Sequence, residues 1–306
     1  MTSSSKASVD TRRADPTRVL SPGREFWNAF SAHRGAHAAF LVLLALAVAA
    51  ILSPWIAPHD PTFQYRDSLL VPPAWSPQGS SRFLLGTDEL GRDLLSRLLY
   101  GARGSLGIGV ASVFMSLVPG TLLGLISAFF PRRAAPPIMR VMDVMLALPG
   151  ILLAICVITV LGPGLSNTAI AIAIGALPGY ARLSRAAALS EIGREYVTAS
   201  RVAGAGVVRL MFSVVLPNCL GPLIVNATMG FSSAILETAG LGFLGLGVQA
   251  PTPEWGGMLS AARDYSEAAP WLVLVPGLTI LVSVVCANLV GDGLRDALDP
   301  KLRRAH

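Results

Sequence analysis

The chain has 306 residues, of which 53% are apolar and 14% are charged, and its mean hydropathy is +0.59. Soluble domains carry about 25% charged residues, so this composition excludes an ordinary soluble domain and indicates an integral membrane protein. The net charge of +6 needs no nucleic-acid partner to explain it, because an excess of Lys and Arg in cytoplasmic loops accounts for it.

Runs without charged residues predict an all-α membrane protein with six transmembrane helices. The predicted spans are 37–56, 104–130, 138–161, 167–187, 212–236 and 269–290. They divide the chain into an N-terminal tail at 1–36, a first transmembrane helix at 37–56, an external loop at 57–103, a five-helix core at 104–291 that includes a polar loop at 188–211, and a C-terminal tail at 292–306.

Basic residues set the predicted orientation. With six spans, both termini lie on the same side as the loops 131–140 and 182–211, and most of the 24 Lys and Arg residues fall in these four segments. The positive-inside rule therefore makes both termini and the polar loop cytoplasmic. The polar leader before the first apolar run is untypical of a secretory signal, so we expect the first span to be retained.

The external loop contains a predicted amphipathic helix. Within 90–99 the leucines share one helical face and the charged residues occupy the other, with Asp93 expected to pair with Arg97 at i,i+4. Such a helix suits the outer membrane surface or the side of the bundle. The loop as a whole is expected to be external and folded against the spans.

No pattern in the sequence predicts catalysis. The three cysteines, Cys156, Cys219 and Cys286, lie in apolar runs, so no disulfide framework is indicated, and the four histidines have no metal-ligand spacing. The only lysines are Lys6 and Lys301, which excludes a Gly-x-x-x-x-Gly-Lys phosphate loop. We therefore expect a chain that is not an enzyme and that holds no cofactor or metal of its own.

Two carboxylates near the membrane are candidates for the path of a transported solute. Asp143 falls in the third span, three residues after Arg140, and Glu237 follows the fifth. Ionisable groups are costly in lipid and normally face protein or water. Each residue is thus either a polar lining that contacts a substrate ammonium, or a packing ion pair or interfacial group.

Three segments together resemble a known family. The stretch REYVTASRVAG at 194–204, followed by Leu216 and Pro217, is similar to the cytoplasmic EAA loop of permease subunits in ABC importers. LGTDELGRDLLSRLLYGAR at 85–103 and FLGLGVQAPTPEWG at 243–256 resemble hallmarks of the subfamily that serves dipeptide, oligopeptide and nickel importers, and 291–300 resembles its cytoplasmic end. The resemblance covers residues 25–304.

This resemblance implies a coupling helix between spans four and five that docks on an ATPase. The residues it assigns to coupling are Glu195, Thr198, Ala199, Ser200, Arg201, Gly204, Leu216 and Pro217. The first Glu of the family motif is replaced by Thr198, with Glu195 one turn earlier.

The implied partners are a second, homologous permease subunit, two ATPase subunits that bind ATP and Mg²⁺, an extracytoplasmic solute-binding protein, a peptide substrate and membrane lipid. The implied location is the bacterial inner membrane.

Alternatives remain at this point. Within the family, the cargo is a di- or oligopeptide, or else nickel or another small solute. Outside it, the chain is a secondary transporter or channel driven by an ion gradient, or a structural membrane scaffold. The scarcity of intramembrane carboxylates and the ATPase-docking loop favour the ABC importer.

Overall fold

The computed structural model describes residues 22–298, and the regular structure of that part of the chain is helical apart from one isolated bridge between Thr87 and Asp93. The helices are α1 (Pro22–Ala32), α2 (Arg34–Ile56), α3 (Leu94–Phe129), α4 (Ala135–Leu146), α5 (Gly150–Leu161), α6 (Leu165–Ile192), α7 (Glu195–Val202), α8 (Val207–Arg209), α9 (Leu216–Phe243), α10 (Trp255–Ala262) and α11 (Trp271–Leu298). The prediction of an all-α protein is confirmed.

Each predicted span falls on helical structure. Among the described residues, four continuous helical stretches are long and apolar enough to cross a membrane, namely α2, α3, Val207–Phe243 and α11, and the pair α4 and α5 makes a fifth if it is counted as one span. The predicted fourth span corresponds to α6, which has 28 residues but a more polar composition. Helix α7 lies between the fourth and fifth predicted spans.

The predicted third span, 138–161, is not one straight helix. Helices α4 and α5 meet at a bend of 94° across residues 147–149. Pro149 precedes the first residue of α5, where its missing N–H removes no helical hydrogen bond. The middle of this span is therefore a broken helix, which membrane proteins tolerate where the backbone is buried or lines a cavity.

The predicted amphipathic helix at 90–99 is not a separate element. Helix α3 begins at Leu94 and continues into the second span, and the Asp93 carboxylate caps it by accepting the Ser96 N–H at 2.9 Å. The predicted pair between Asp93 and Arg97 does not form. Instead, Arg97 Nε lies 3.3 Å from Asp88, which also pairs with Arg92 at 2.7 Å. This buried charge cluster fixes the external loop on the end of α3.

Part of the predicted N-terminal tail is helical. Helix α1 occupies Pro22–Ala32 and packs Phe30, which is buried, against Phe40 of α2, with ring centroids 6.1 Å apart. Residues 1–21 of the predicted tail and residues 299–306 of the predicted C-terminal tail lie outside the described residues.

No turn separates α8 from the fifth span at Pro217. Helix α8 continues through a π-helical segment, Leu210–Val215, directly into α9. The wider π spacing places Pro217 near the amino end of α9, where a missing N–H is tolerated. The fifth span consequently begins at Val207 rather than at 212.

Close packing of α3 on α6 organises the bundle. Gly120 and Gly124 stand one turn apart on α3 and face Tyr180, Ala181 and Ser184 of α6. A Cβ added at Gly124 would lie 2.6 Å from the Ala181 carbonyl oxygen. Small residues at this spacing let two membrane helices approach until their backbones nearly touch.

Candidate coupling surface and translocation path

Helix α7 presents most of the predicted coupling residues at the surface. Ser200 is half-buried, and the exposed members of the set are Glu195, Thr198, Ala199, Arg201 and Gly204. The Ser200 hydroxyl donates to the Tyr196 carbonyl at 2.8 Å, and Thr198 donates to the Arg194 carbonyl at 3.4 Å. Both hydroxyls donate to backbone carbonyls near α7, so neither presents a free proton at the outer surface of the helix.

Gly204 ends α7 in a Schellman motif. Its own N–H donates to the Arg201 carbonyl and the Ala205 N–H donates to the Ser200 carbonyl, both at 3.0 Å. This closure needs a left-handed residue, and Gly204 has φ +87°. Nothing lies within 4 Å of the position that a Cβ would take, so this end of the helix is open to a partner.

One buried side chain anchors α7 to the bundle. Val197 is 0% exposed and packs in a cluster with Ala188 of α6 and with Leu210 and Val215 of the π-helical segment. Burial of such a side chain contributes about 1.5–3 kcal/mol. Helix α7 is therefore attached to both spans that flank it, while its other faces remain exposed.

A polar contact fixes the direction in which α7 leaves α6. The Tyr196 hydroxyl donates to a Glu191 carboxylate oxygen at 2.5 Å, and Arg194 lies 3.8 Å from the other oxygen. Partial burial, followed by the bond to Glu191, raises the pKa of Tyr196 to about 12, so this hydroxyl keeps its proton. Neither residue was predicted from the sequence, because their contact spans a break between two helices and follows no helical spacing.

Leu216 and Pro217 lie away from the exposed face of α7. Leu216 is half-buried against the cluster around Val197, and Pro217 is exposed at the start of α9. The structure thus brings together six of the eight predicted coupling residues and places these two on the connection to the fifth span.

Exposed valines extend the α7 surface. Val202 is 85% exposed and Val208 is 70% exposed, and Val207 lies beside them. Val202 lies outside the apolar spans, and such an exposed apolar side chain beside a helix is typical of a surface that a partner covers. None of these valines was predicted from the sequence, because valines beside a membrane span resemble part of that span.

A polar cavity lies between α3, α6 and α9. Its volume is about 270 Å³, and its lining is Ser112, Val113, Ser116, Ile172, Ala176, Tyr180, Asn226, Met229, Gly230, Ser233, Ala234 and Glu237. Glu237, predicted from the sequence as a path residue, is the one charged residue in that lining. The start of α5 is close by, since a Cβ added at Gly150 would lie 3.8 Å from Glu237 Oε1.

Asp143 occupies a different place from Glu237. It forms an ion pair with Arg182 of α6 rather than with Arg140. Both partners are more than half exposed and line a second cavity of about 300 Å³ with Arg185. Charged groups exposed within membrane-spanning helices face water or another protein rather than lipid, so Asp143 and Arg182 are expected to face one of these.

The α9 groove, which we define as the two cavities that share Asn226 and Met229, follows one face of α9. The cavity around Glu237 continues into one of about 530 Å³ that reaches Asn218 and, on α11, Arg295. The α9 residues that line the groove include Asn218, Pro222, Asn226, Met229, Ser233 and Glu237, a spacing of three or four that keeps them on one helical face. Only Glu237 of this series was predicted.

At the end of the bundle opposite α7, a buried carboxylate joins α10 to α3. Glu254 accepts bonds from the N–H groups of Gly256 and Gly257 at 2.9 and 2.8 Å and from the Ser105 hydroxyl at 3.0 Å. Burial raises the pKa of Glu254, and the three donors act in the opposite direction. The Trp255 indole donates to the Leu98 carbonyl at 3.1 Å. This is the structural role of the 243–256 segment.

The comparisons with known proteins agree with this architecture. The family profile described as "Binding-protein-dependent transport system inner membrane component" matches residues 120–304. The chain belongs to this family. The profile described as "N-terminal TM domain of oligopeptide transport permease C" matches residues 21–73. Membership confirms the predicted resemblance and argues against a secondary transporter or a structural scaffold.

Curated relatives match nearly the whole chain. The di/tripeptide transport system permease protein DppC of Pseudomonas aeruginosa is 62% identical over 95% of this chain and 97% of its own length. The dipeptide transport system permease proteins DppC of Haemophilus influenzae and Escherichia coli K12 are 54% and 53% identical over 92% and 93% of this chain, and 96% and 95% of their own lengths.

A solved structure shares the fold. A chain of the MetNI methionine ABC transporter, in inward-facing conformations, superimposes with a TM-score of 0.55 over 67% of this chain and 98% of its own length. The two sequences are 19% identical, so the similarity concerns the fold alone.

Proposed function

We propose that this chain forms half of the translocation path of an ATP-driven importer of dipeptides in the bacterial inner membrane. Its partners would be a homologous permease subunit, two ATPase subunits that bind ATP and Mg²⁺, and an extracytoplasmic solute-binding protein. The names of the relatives at 53–62% identity support a dipeptide over nickel as cargo. The chain itself performs no chemical step in this proposal.

The exposed but anchored helix α7 is the observation that carries the proposal. Its exposed face carries the small residues Ala199 and Gly204. Val197 and the contact between Tyr196 and Glu191 attach the helix to the spans on either side. A helix attached in this way moves as a rigid unit with α6 and α9 when a partner displaces it. Closure of two ATPases around ATP would therefore change the direction in which the bundle opens.

Such a switch requires a difference in contact energy between the two states. Moving a two-state equilibrium from 1:99 to 99:1 takes about 5.5 kcal/mol. The small side chains of Ala199 and Gly204 permit close docking, and Arg194, Arg201 and Arg209 supply charge for acidic groups of the ATPase. Glu195 replaces part of the contact that Thr198 cannot make.

The α9 groove supplies the path in this proposal. It runs from the end of the bundle that carries α7 to Glu237, and its polar groups offer hydrogen bonds to a peptide. Asp143, with Arg182, lines the neighbouring cavity, where both charges are exposed. We assign Asp143 and Glu237 to the path surface that faces the second permease subunit.

Uptake by the reconstituted complex tests the power source. The complex purified from its native membrane should contain the second permease and the ATPases, and peptide uptake should require ATP on the side of α7. Uptake should persist when ionophores collapse proton and sodium gradients. Transport driven by an imposed ion gradient without ATP, or an active complex built from this chain alone, would contradict the proposal.

A further inference from the structure

We infer that Glu237 is the binding group for the free α-ammonium of the peptide as it passes through the α9 groove. This inference rests on the proposed function, because it assumes that the cargo is a peptide with a free amino terminus. It goes further by assigning one side chain to one chemical group of that cargo.

The first observation is that the Glu237 carboxylate is uncompensated. Within residues 22–298 it makes no hydrogen bond and no ion pair, although the residue is half-buried and lines the cavity between α3, α6 and α9. Asp143 differs, since Arg182 neutralises it. A carboxylate held away from bulk water is stable when a cation or several donors approach it.

The second observation is the chemistry of the cavity wall. Glu237 is the one charged residue in the lining. The Ser112 hydroxyl already donates to the Ile108 carbonyl at 2.7 Å and the Ser116 hydroxyl to the Ser112 carbonyl at 2.7 Å. The protons of these two hydroxyls are therefore already used within α3, and no Lys or Arg lines the cavity. A single negative charge without a cationic partner suits a group with several N–H donors, such as an ammonium.

The remaining observations separate an ammonium from a metal ion. Residues 22–298 contain no group of three His, Cys, Asp or Glu side chains that could hold a metal, and a single carboxylate does not supply the ligand set of a divalent cation. The cavity of about 270 Å³ is close to the lower limit of small-molecule sites, roughly 300 Å³, and it opens into the rest of the groove. One end of a short peptide fits it.

The test measures coupling as well as transport. Proteoliposomes with the complete complex and its binding protein are given radiolabelled L-alanyl-L-alanine, and uptake and ATP hydrolysis are followed together. Glu237→Gln should reduce the peptide imported per ATP hydrolysed by roughly 10-fold or more, the value of a charge-assisted hydrogen bond. ATP hydrolysis stimulated by the binding protein should remain, and Glu237→Asp should retain most of the import.

Two controls make each outcome decisive. Leu236→Ala changes the neighbouring residue on α9, whose side chain is 60% exposed and outside the cavity lining, and should behave as wild type. Equal import per ATP in Glu237→Gln and wild type would overturn the inference. So would equal loss in the Gln and Asp variants, or loss of the second permease from the complex, because either result gives Glu237 a structural role. If the wild type shows no ATP-dependent uptake, the proposed function itself fails.

Discussion

At the scale of single residues, the coupling surface depends on two kinds of position. Small exposed residues can contact a partner closely, and buried residues hold the helix on the bundle. Ala199 is exposed on α7 and Val197, two positions earlier, is fully buried. Substitutions at exposed positions usually change the free energy of unfolding by less than about 0.5 kcal/mol. A change at Ala199 can therefore alter docking without altering the fold, whereas a change at Val197 alters both.

Ala199→Trp is expected to weaken the attachment of the ATPases, because it places a large ring against the partner. ATP-driven uptake should fall by roughly 10-fold or more, which corresponds to at least about 1.4 kcal/mol of lost binding free energy. The ratio of ATPase to permease after purification, and the rate of uptake, measure the effect. The amount of protein in the membrane should be unchanged. Gly204 is a less suitable site, because its φ of +87° strains any side chain there.

The matched control is Ala199→Ser, which keeps the side chain small. It should retain both the ATPases and uptake. Normal uptake with an intact complex in Ala199→Trp would show that α7 is not the docking helix.

At the scale of elements, the contact between α3 and α6 carries the bundle. Gly124→Ala would place a Cβ 2.6 Å from the Ala181 carbonyl oxygen and from the Ser184 Cβ, and a backbone oxygen cannot rotate away. Overpacking of this kind typically costs about 1–3 kcal/mol. We expect the solubilised protein to lose its folded state at a temperature several degrees lower, measured by the fraction that remains monodisperse after heating.

Gly107→Ala is the matched control for this prediction. Gly107 lies on the same helix, and nothing lies within 4 Å of its Cβ position. Its replacement should leave the melting temperature unchanged or raise it slightly, because Ala favours a helix over Gly. Similar melting temperatures for the two variants would mean that the α3–α6 contact is not tight.

At the scale of the whole molecule, the six predicted spans would place α7 and both termini on one side of the membrane. We expect this side to be cytoplasmic from the distribution of Lys and Arg. In a background without Cys156, Cys219 and Cys286, Thr252→Cys should react with a membrane-impermeant maleimide in intact spheroplasts. Arg132→Cys and Asn28→Cys should react only after permeabilisation.

The three labelling sites are exposed on the described part of the protein, so a lack of reaction reflects the side of the membrane rather than burial. Labelling of Asn28→Cys from outside, with Arg132→Cys protected, would mean that an odd number of spans separates these two residues, instead of the two that are predicted. The reverse pattern at all three sites would invert the protein in the membrane.

The sequence by itself determined the all-helical fold, the approximate places of the apolar helices and the place of α7 between the fourth and fifth predicted spans. These features follow from contiguous residues, since apolar length and the Gly204 closure are local properties. Local sequence could not distinguish the environments of Asp143 and Glu237, because each is a single acidic residue in or beside an apolar run.

Only the tertiary structure decided which charges are paired and which face the groove. Asp143 is neutralised by Arg182, 39 positions later in the chain, and Arg97 pairs with Asp88 instead of its helical neighbour Asp93. The bend between α4 and α5 and the groove-lining face of α9 were also decided there. The physical reason is that the rotation and contact of helices depend on side chains distant in sequence, and no local pattern records which of them will meet.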